Sequence, residues 1–433
     1  MTHITQRRRS RAGIAGPALG LASVLVLAGC SSASEEPSDS GELGGTVTAL
    51  ITPGQNTGLE PIYEPFEEES GVAIDADFVD AVTLIEQLRI QLDSGTAPDL
   101  FRPSLGYGTV GAVPLGEQGY LADLTDEPWV DEMPASVRDV VSVDGKVYAY
   151  PASAQSIVMY YNKSVFDDLG LQAPNTWDEF IEVNETVKEA GLIPISLGLG
   201  TPAFIQFMPF MLAATLVSGV DPDIDAQMAD GDASFAESVG WKETFEKFFG
   251  LIEDGYTTPT PLGMPSDQSM QAVATGEAAM IPLVSNNISE LSEYFENGVD
   301  DIGVFALPAT NNAEDTWVPF SPELLAINAE AENPAGAKAF LTYLSDPARS
   351  SEFAAATGTL PAFINSDPVD NEVAETLAPF IEESKVAPFV VHLWPNGEVQ
   401  QVLIQSGQLV LTGDITIDEL LEEMDAAYAI GRS

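Results

Sequence analysis

The pattern of apolar and polar positions along the chain predicts alternating strands and helices. Thr46–Ile51 is β-rich and ends in a loop signal, a helix is predicted from there through Glu69, and residues 73–79 alternate as a second strand. An amphipathic helix then separates this strand from a third short one at residues 99–101. Strand–helix–strand order favours an α/β fold with a mainly parallel sheet. Ligands of such sheets bind at loops beyond the carboxyl ends of the strands.

Further along the chain, β-rich stretches and helix starts continue the pattern. Residues 146–151 and 156–161 are β-rich. Two pairs have the spacing of a capping box, Thr176 with Glu179 and Thr416 with Glu419. In a capping box the threonine side chain caps the helix, and the glutamate three residues later accepts a hydrogen bond from the backbone of the threonine. The last of these signals opens a C-terminal helix.

The first 30 residues predict an export signal. Arg7, Arg8, Arg9 and Arg11 precede an apolar run over residues 14–28, which is too short and too interrupted by glycine and proline for a good spanning helix. The run ends Leu-Ala-Gly-Cys at Cys30, which resembles the bacterial lipobox, where the cysteine is lipidated and becomes the first residue of the mature chain. The alternatives are an ordinary signal with an incidental cysteine and, for the arginines, a twin-arginine export route.

The charge of the chain is strongly negative, with 16 Lys and Arg against 67 Asp and Glu. Removing residues 1–29 leaves 12 basic and 67 acidic side chains, a net charge of −55. Such a charge disfavours nucleic acid as a partner because no excess of cations is present to neutralise phosphates. It is typical of a solvated surface, and attraction of cationic ligands is the functional alternative.

The inventory of reactive side chains excludes several kinds of chemistry. The histidines are His3 and His392, and Cys30 is the one cysteine. Zinc sites built from Cys and His, disulfide frameworks and cysteine nucleophiles are therefore excluded, and a Ser-His-Asp triad would depend on His392. No metal and no cofactor is implied.

A family resemblance is carried by residues 143–177, which read VDGKVYAYPASAQSIVMYYNKSVFDDLGLQAPNTW. This stretch resembles the signature region of bacterial extracellular solute-binding proteins of family 1, the maltose-binding-protein type. Further matching segments follow in family order: residues 87–101, 270–281, 301–308 and 333–346. The resemblance implies an α/β, two-lobed periplasmic-binding-protein-like fold of type II, with a ligand cleft between the lobes and a hinge of three chain crossings.

The resemblance also divides the chain. The crossings are expected near residues 150–154, 317–321 and 357–361. The predicted organisation is a signal peptide over residues 1–29, a flexible tether over 30–44, lobe I over 45–151 and 320–359, and lobe II over 152–319 and 360–433.

The implied function is that of the substrate-binding component of an ABC importer. It would capture a mono- or oligosaccharide by hinge closure and deliver it to the transmembrane permease subunits. The protein would be a non-enzymatic monomer on the outer side of the bacterial cell membrane, anchored through lipid on Cys30. A polyamine binder of the same fold is the first alternative, because carboxylates and aromatic rings could cage an amine. A secreted glycoside hydrolase, with two carboxylates across a cleft, is the second.

A sugar site needs hydrogen-bonding side chains for hydroxyl groups and aromatic faces for the apolar sides of the ring. First-lobe candidates at strand ends are Gln55, Asn56, Phe101, Arg102 and Ser104, with Tyr107 further along the same loop and Gln155 just past the first crossing. Second-lobe candidates are Phe204, Gln206, Ser285, Asn286, Trp317, Ser321, Trp394 and Asn396. The alternatives are a plain turn for Gln55 and Asn56, a salt bridge for Arg102, and core or hinge packing for each aromatic. For Trp317 and Trp394, an expected exposed loop leaves both interpretations open.

Overall fold

The computed structural model of the chain describes residues 43–79, 81–105, 110–133, 135–363, 366–367, 369 and 371–430. Its strands are β1 (Thr46–Ile51), β2 (Ala73–Phe78), β3 (Leu100–Phe101), β4 (Ser142–Val143), β5 (Lys146–Val147), β6 (Tyr150–Asn162), β7 (Ile193–Ile195), β8 (Ala278–Val284), β9 (Ile302–Phe305), β10 (Val318–Ile327) and β11 (Val386–Pro388).

The helices alternate with these strands through most of the chain. They are α1 (Pro53–Ser70), α2 (Ala81–Ser94), α3 (Ala112–Glu117), α4 (Ala135–Val140), α5 (Lys163–Leu169), α6 (Trp177–Glu189), α7 (Phe207–Ala213), α8 (Ile224–Asp230), α9 (Val239–Glu253), α10 (Ser266–Ala274), α11 (Ile288–Ser292), α12 (Pro334–Leu344), α13 (Pro347–Thr357), α14 (Glu372–Glu382), α15 (Glu398–Thr412) and α16 (Ile417–Ile430). No helix in the described ranges combines the length and the apolar character needed to cross a bilayer.

The first three strands pair in parallel as predicted, but the sheet as a whole is mixed and not mainly parallel. β10 pairs antiparallel with β3 and β6, and β6 pairs antiparallel with β8 and β9. β1 lies between β2 and β3 and pairs with both in parallel, with Ile51 opposite Phe78 and Ala49 opposite Leu100. The carboxyl ends of these strands therefore meet at one edge of the sheet, where α1 begins. Thr52 caps α1 by accepting a hydrogen bond from the backbone of Gln55 at 3.4 Å, and the Gln55 side chain accepts one from the backbone of Thr52 at 3.4 Å.

The β-rich residues 146–151 and 156–161 lie in strands for the most part: β5 contains Lys146 and Val147, and β6 runs unbroken from Tyr150 to Asn162. The middle residues of β6 are held in the sheet by antiparallel pairing with β10.

The capping box predicted at Thr176 and Glu179 needs correction. Thr176 caps α6, but the Glu179 carboxylate accepts from the backbone of Asn175 at 2.8 Å rather than from Thr176. The box predicted at Thr416 and Glu419 is confirmed in both directions.

Buried apolar residues form two separate cores. The first core surrounds β1 to β3 with α1 and α12, and contains Val47, Phe66, Phe101 and Phe340. The second core surrounds β6 to β9 with α7, α9 and α16, and contains Tyr160, Phe180, Phe245, Met280 and Tyr428. Since each core is covered by helices on a sheet, the molecule is a two-lobed α/β protein.

Three chain segments contribute to both cores. β6 places Ala152 in the first core and Val158 in the second, and β10 places Leu325 in the first core and Val318 in the second. The third segment, residues 357–363, contributes Leu360 to the second core and Ala362 and Phe363 to the first. These segments lie side by side, because β6 pairs with β10 and Ala154 exchanges two backbone hydrogen bonds of 2.7 Å with Leu360. The lobe boundaries given above stay a prediction.

Candidate ligand-binding site

A row of polar side chains runs along the two central strands between the cores. Ser153 and Gln155 are alternate residues of β6, so they share one face, and the pairing register places Glu323 opposite Ser153 and Ser321 opposite Gln155. We call these four residues the polar row. Ser153, Ser321 and Glu323 are 0%, 2% and 8% exposed, whereas Gln155 is partly exposed. Polar side chains buried to this degree in a sheet need hydrogen-bonding partners, from the protein or from a ligand.

Glu323 receives one partner from the first lobe. The Nε atom of Arg102, which directly follows β3, lies 3.2 Å from Oε2 of Glu323. The two side chains are 21% and 10% exposed, so this ion pair is more shielded from water than a surface pair. The salt bridge foreseen as the alternative for Arg102 is therefore present, and its carboxylate partner belongs to the polar row.

Ser321 receives its partner from the second lobe. Its Oγ lies 3.1 Å from Nε2 of His392, whose ring stacks on Phe389 at 5.8 Å between ring centres. Burial and the positive charge of Arg102 lower the pKa of His392 to about 4, against a smaller opposing effect of a hydrogen bond with the backbone of Leu105. A neutral ring with this pKa is a poor general base at neutral pH, because it holds a proton weakly.

A cavity of about 150 Å³ opens beside the polar row. The residues that line it are Thr52, Gly54, Gln55, Thr57, Ser153, Asn286, Ser289, Glu323, Phe353, Ala356, Thr357 and Thr359. They come from the start of α1 in the first lobe, from the loop after β8 in the second, and from the segments between the lobes. Most are hydroxyl or amide side chains, with one carboxylate and one aromatic ring. The volume is well below the roughly 300–1,000 Å³ of pockets that hold drug-sized ligands, so a larger ligand requires the lobes to separate.

Beside this cavity, the chain approaches the second lobe closely at Gly358, which follows cavity residue Thr357 and ends α13 with a φ of +63°. A Cβ atom built there would lie 2.4 Å from Cγ2 of Ile288, the first residue of α11. A side chain at this position would therefore collide with the second lobe, in addition to being strained by the positive φ. Gly358 therefore allows the third segment to pack closely against α11, which follows the loop after β8.

The structure brings a subset of the predicted site residues to the polar row and cavity. Gln55 and Asn286 line the cavity, Gln155 and Ser321 belong to the polar row, and Arg102 contacts it through Glu323. Gln55 is mainly structural, because it is 3% exposed and its Nε2 donates to the carbonyl of Leu324 at 3.3 Å.

The other first-lobe candidates have structural partners. Asn56 accepts a hydrogen bond from the hydroxyl of Tyr63 at 3.5 Å, and Phe101 is 0% exposed in the first core. The backbone of Ser104 donates to Val110 at 2.9 Å. Tyr107 lies outside the described residues, as does Cys30 with the predicted signal and most of the tether.

The second-lobe candidates are scattered and mostly serve packing or capping. Ser285 is 0% exposed and accepts from the backbone of Ser156 at 3.2 Å. Gln206 accepts from Gln400 at 2.9 Å, and the ring of Phe204 packs on that of Phe207 at 4.7 Å. Asn396 accepts from the backbone of Glu398 at 2.8 Å, next to the start of α15, and donates to the carbonyl of Ala427 at 3.1 Å.

The two tryptophans differ in environment. Trp394 is 2% exposed and its ring lies between those of Phe210, Phe235 and Trp241 at 5.8–6.3 Å, so the expectation of an exposed loop is wrong. The three aromatic residues that contact Trp394 belong to the second core. Trp317 is partly exposed, and its ring lies where a Cβ on Gly219 would approach within 2.9 Å. Neither tryptophan lines the cavity as described.

Sequence reasoning missed three kinds of residue. Glu323 could have been found as the one acid within the apolar strand VPFSPELLAI, where a buried charge needs a reason. Thr357 and Thr359 lie in the third segment, which was named only as a crossing. Phe78 is 52% exposed at the carboxyl end of β2, opposite Ile51 and therefore beside the cavity residue Thr52.

The architecture is that of a binding protein, with two lobes, a three-segment hinge and a polar cavity between them. Comparison with known proteins gives its family. The model of the family described as bacterial extracellular solute-binding protein matches residues 49–349, and the chain belongs to this family.

Relatives by sequence include the melibiose/raffinose/stachyose-binding protein MelE of Bacillus subtilis, 23% identical over 94% of this chain and 93% of that protein. A maltooligosaccharide ABC transporter solute-binding lipoprotein of Streptococcus pneumoniae is 32% identical over 39% of this chain and 38% of its own. Among solved structures, the solute-binding protein RafE in complex with raffinose has a TM-score of 0.74 at 21% identity, and covers 90% of this chain and 100% of its own. This likeness shows the shared fold.

Proposed function

We propose that this protein is the substrate-binding component of an ABC importer and that it captures a mono- or oligosaccharide between its lobes. The observation that carries the proposal is the cavity beside the polar row, whose lining comes from both lobes and from the segments that join them. A ligand that contacts both lobes stabilises their closed arrangement, which is how a hinge protein converts binding into a signal for its permease.

The chemistry of the lining suits a polyhydroxylated neutral solute. Hydroxyl and amide groups both donate and accept hydrogen bonds, and a carboxylate oxygen accepts strongly from a sugar hydroxyl. Phe353 adds one apolar face. The names of the relatives are consistent with this class of ligand, since MelE is named for melibiose, raffinose and stachyose.

The two alternative functions have less support. A polyamine site would need several carboxylates that are not paired with cations. Glu323 is the one acid among the described lining residues, and it is paired with Arg102. Glycoside hydrolysis needs two carboxylates across the cleft, and Glu323 is the one acid among the described lining residues. Binding without turnover is therefore the function that the site supports best.

Attachment to the membrane is part of the proposal. Lipid on Cys30 would hold the protein outside the cell, and the pneumococcal relative is named a lipoprotein. We expect Cys30→Ser to move the protein from the detergent phase to the aqueous phase in a phase-partition experiment while the lobes remain folded. Retention of the variant in the detergent phase would contradict the anchor.

The test of ligand class is a thermal-shift screen of the chain from Ser34 onward against sugars, polyols and polyamines. A ligand present at 100 times its Kd adds about 2.7 kcal/mol to the free energy of unfolding, so a true ligand raises the Tm clearly. We expect a neutral saccharide to do so, with an effect that changes little between low and high salt. A rise with polyamines alone, lost at high salt, would favour the cation binder, and release of shorter sugars over hours would favour a hydrolase.

A further inference from the structure

The Arg102–Glu323 ion pair occupies an unusual place for a salt bridge. Glu323 lines the cavity and is 8% exposed, whereas Arg102 is not one of the described residues that line it. The guanidinium, on the residue that follows β3, contacts the carboxylate at 3.2 Å without lining the cavity itself. Among the described residues, Arg102 is the hydrogen-bond partner of this carboxylate and uses its Oε2 atom. The other carboxylate oxygen, Oε1, remains available to accept a hydrogen bond from a ligand hydroxyl.

We propose that this ion pair makes the cavity selective for neutral polyhydroxylated solutes. Glu323 accepts a hydroxyl group of the solute, and Arg102 is a positioning residue that fixes the carboxylate and cancels its charge. This inference rests on the proposed function, because it specifies which chemical property of a carbohydrate the cavity selects.

The electrostatics of the whole molecule make such cancellation necessary. The chain has a net charge of −51, so cations are concentrated near its surface. An unpaired carboxylate in a partly buried cavity would attract those cations strongly, because charges interact more strongly where water is excluded. Pairing with Arg102 removes that attraction while retaining a strong hydrogen-bond acceptor. The neighbouring His392 adds no positive charge at neutral pH, since its pKa is lowered to about 4.

The experiment compares sugars that differ by one charge. Glucose and galactose are titrated calorimetrically beside glucosamine and galactosamine, whose 2-amino group is cationic at a buffer pH of about 6.5, and putrescine serves as a second cationic probe. The proteins are the wild type, Arg102→Gln, Glu323→Gln and the double variant. Arg89→Gln is the matched control, because Arg89 forms an ion pair with Asp93 at 3.2 Å on the exposed surface of α2.

We expect Arg102→Gln to lower the affinity for the neutral sugar about tenfold and to raise the amine-to-neutral affinity ratio by at least tenfold. That gain should shrink in high salt, because it comes from an unpaired charge. Glu323→Gln should lower the neutral affinity without raising the ratio, and the double variant should return the ratio to the wild-type value. Arg89→Gln should change neither quantity.

An unchanged ratio in Arg102→Gln would overturn the inference. If that variant does not fold, Arg102→Lys retains the charge and should keep the wild-type ratio, and a raised ratio in it would overturn charge cancellation. The outcome is separable from failure of the proposed function. If the wild type binds no neutral probe, carbohydrate capture fails, yet stronger putrescine binding by Arg102→Gln than by the wild type would still support the role of Arg102.

Discussion

The polar row and the aromatic cluster around Trp394 are both buried, but they are buried for opposite reasons. Trp394 is enclosed by three aromatic rings and so gains apolar burial and edge-to-face contacts. Ser153 and Glu323 are also hidden, although burial of a hydroxyl or a carboxylate is costly unless it finds partners. The Ser153 hydroxyl has no hydrogen-bond partner among the residues that the structure describes. The comparison teaches that a buried polar residue is the stronger indication of a binding site, and a loop aromatic the stronger indication of a core.

The largest effect that this comparison predicts is the loss of stability in Trp394→Ala. Removing a large aromatic side chain from a packed core costs about 3–5 kcal/mol, because a cavity remains. Denaturant unfolding monitored by circular dichroism measures this change. Trp177→Ala is the control, since that ring is partly exposed with Lys247 over its face at 4.1 Å, and it should cost clearly less. A variant at 394 with normal stability and weakened sugar binding would move this tryptophan into the site.

The second effect concerns pH and the histidine that contacts the polar row. The pKa of His392 is about 4 in the folded protein against an ordinary value of 6.5. The unfolded chain therefore binds more protons between these values, so the free energy of unfolding falls as the pH falls from 6.5 to 4 and levels off below. The contribution is about 3 kcal/mol, because the pKa of His392 falls from 6.5 to about 4 and each pKa unit corresponds to 1.36 kcal/mol.

The pH measurement needs a variant for comparison, because Asp225 acts in the opposite direction. Burial and the charge of Asp221 raise the pKa of Asp225 to about 6, so this group stabilises the fold as the pH falls through part of the same range. His392→Gln keeps a polar side chain facing Ser321 and lacks the titration. Between pH 6.5 and pH 4, the unfolding free energy of the wild type should fall relative to that of His392→Gln. Parallel curves for the two proteins would contradict the burial of a neutral ring.

The third effect tests whether the polar row serves a ligand. Gln155 is the partly exposed member of the row, and no hydrogen bond of its side chain is present among the described residues. We expect Gln155→Ala to weaken sugar binding by about 1–3 kcal/mol, because a buried ligand hydroxyl loses its partner, with little change in unfolding free energy. It should also change the order of affinities within a sugar panel measured by calorimetry. Ser104→Ala, outside the row, is the control, and equal effects of the two changes would remove Gln155 from the site.

How far the sequence predicted the fold depends on the type of signal. The strand Thr46–Ile51 and the alternation of the first strands with helices were predictable, because hydrophobic periodicity and local capping act over a few residues. The antiparallel pairs of β6 and β10 were not, because they join residues far apart in the sequence. The site was predicted less well, since it depends on which residues oppose each other across distant strands. Gln155 and Ser321 were predicted from their place at the crossings and stay predicted site residues. Glu323 joins them in the polar row only through a register that places it opposite Ser153 and a salt bridge to a residue 221 positions away. The exposed loop expected at Trp394 is wrong, because the ring packs on rings from three other segments that are distant in the sequence.

The smallest effect concerns Phe78, the one exposed aromatic side chain among the described residues and a candidate stacking surface. Phe78 is 52% exposed at the carboxyl end of β2, beside the start of α1 but outside the cavity lining. Phe78 lies opposite Ile51, which directly precedes the cavity residue Thr52, so we expect its ring to contact a second sugar unit and not a single unit held at the polar row. Phe78→Ala should therefore weaken raffinose and longer saccharides by about 0.5–1.5 kcal/mol and leave monosaccharides unchanged. Phe78→Trp should restore or strengthen binding of the longer sugars.

Ile90→Ala, which removes a 69% exposed apolar side chain on α2, is the matched control and should have no effect on any sugar. If Phe78→Ala weakens mono- and oligosaccharides equally, or neither, the ring does not extend the site beyond the polar row.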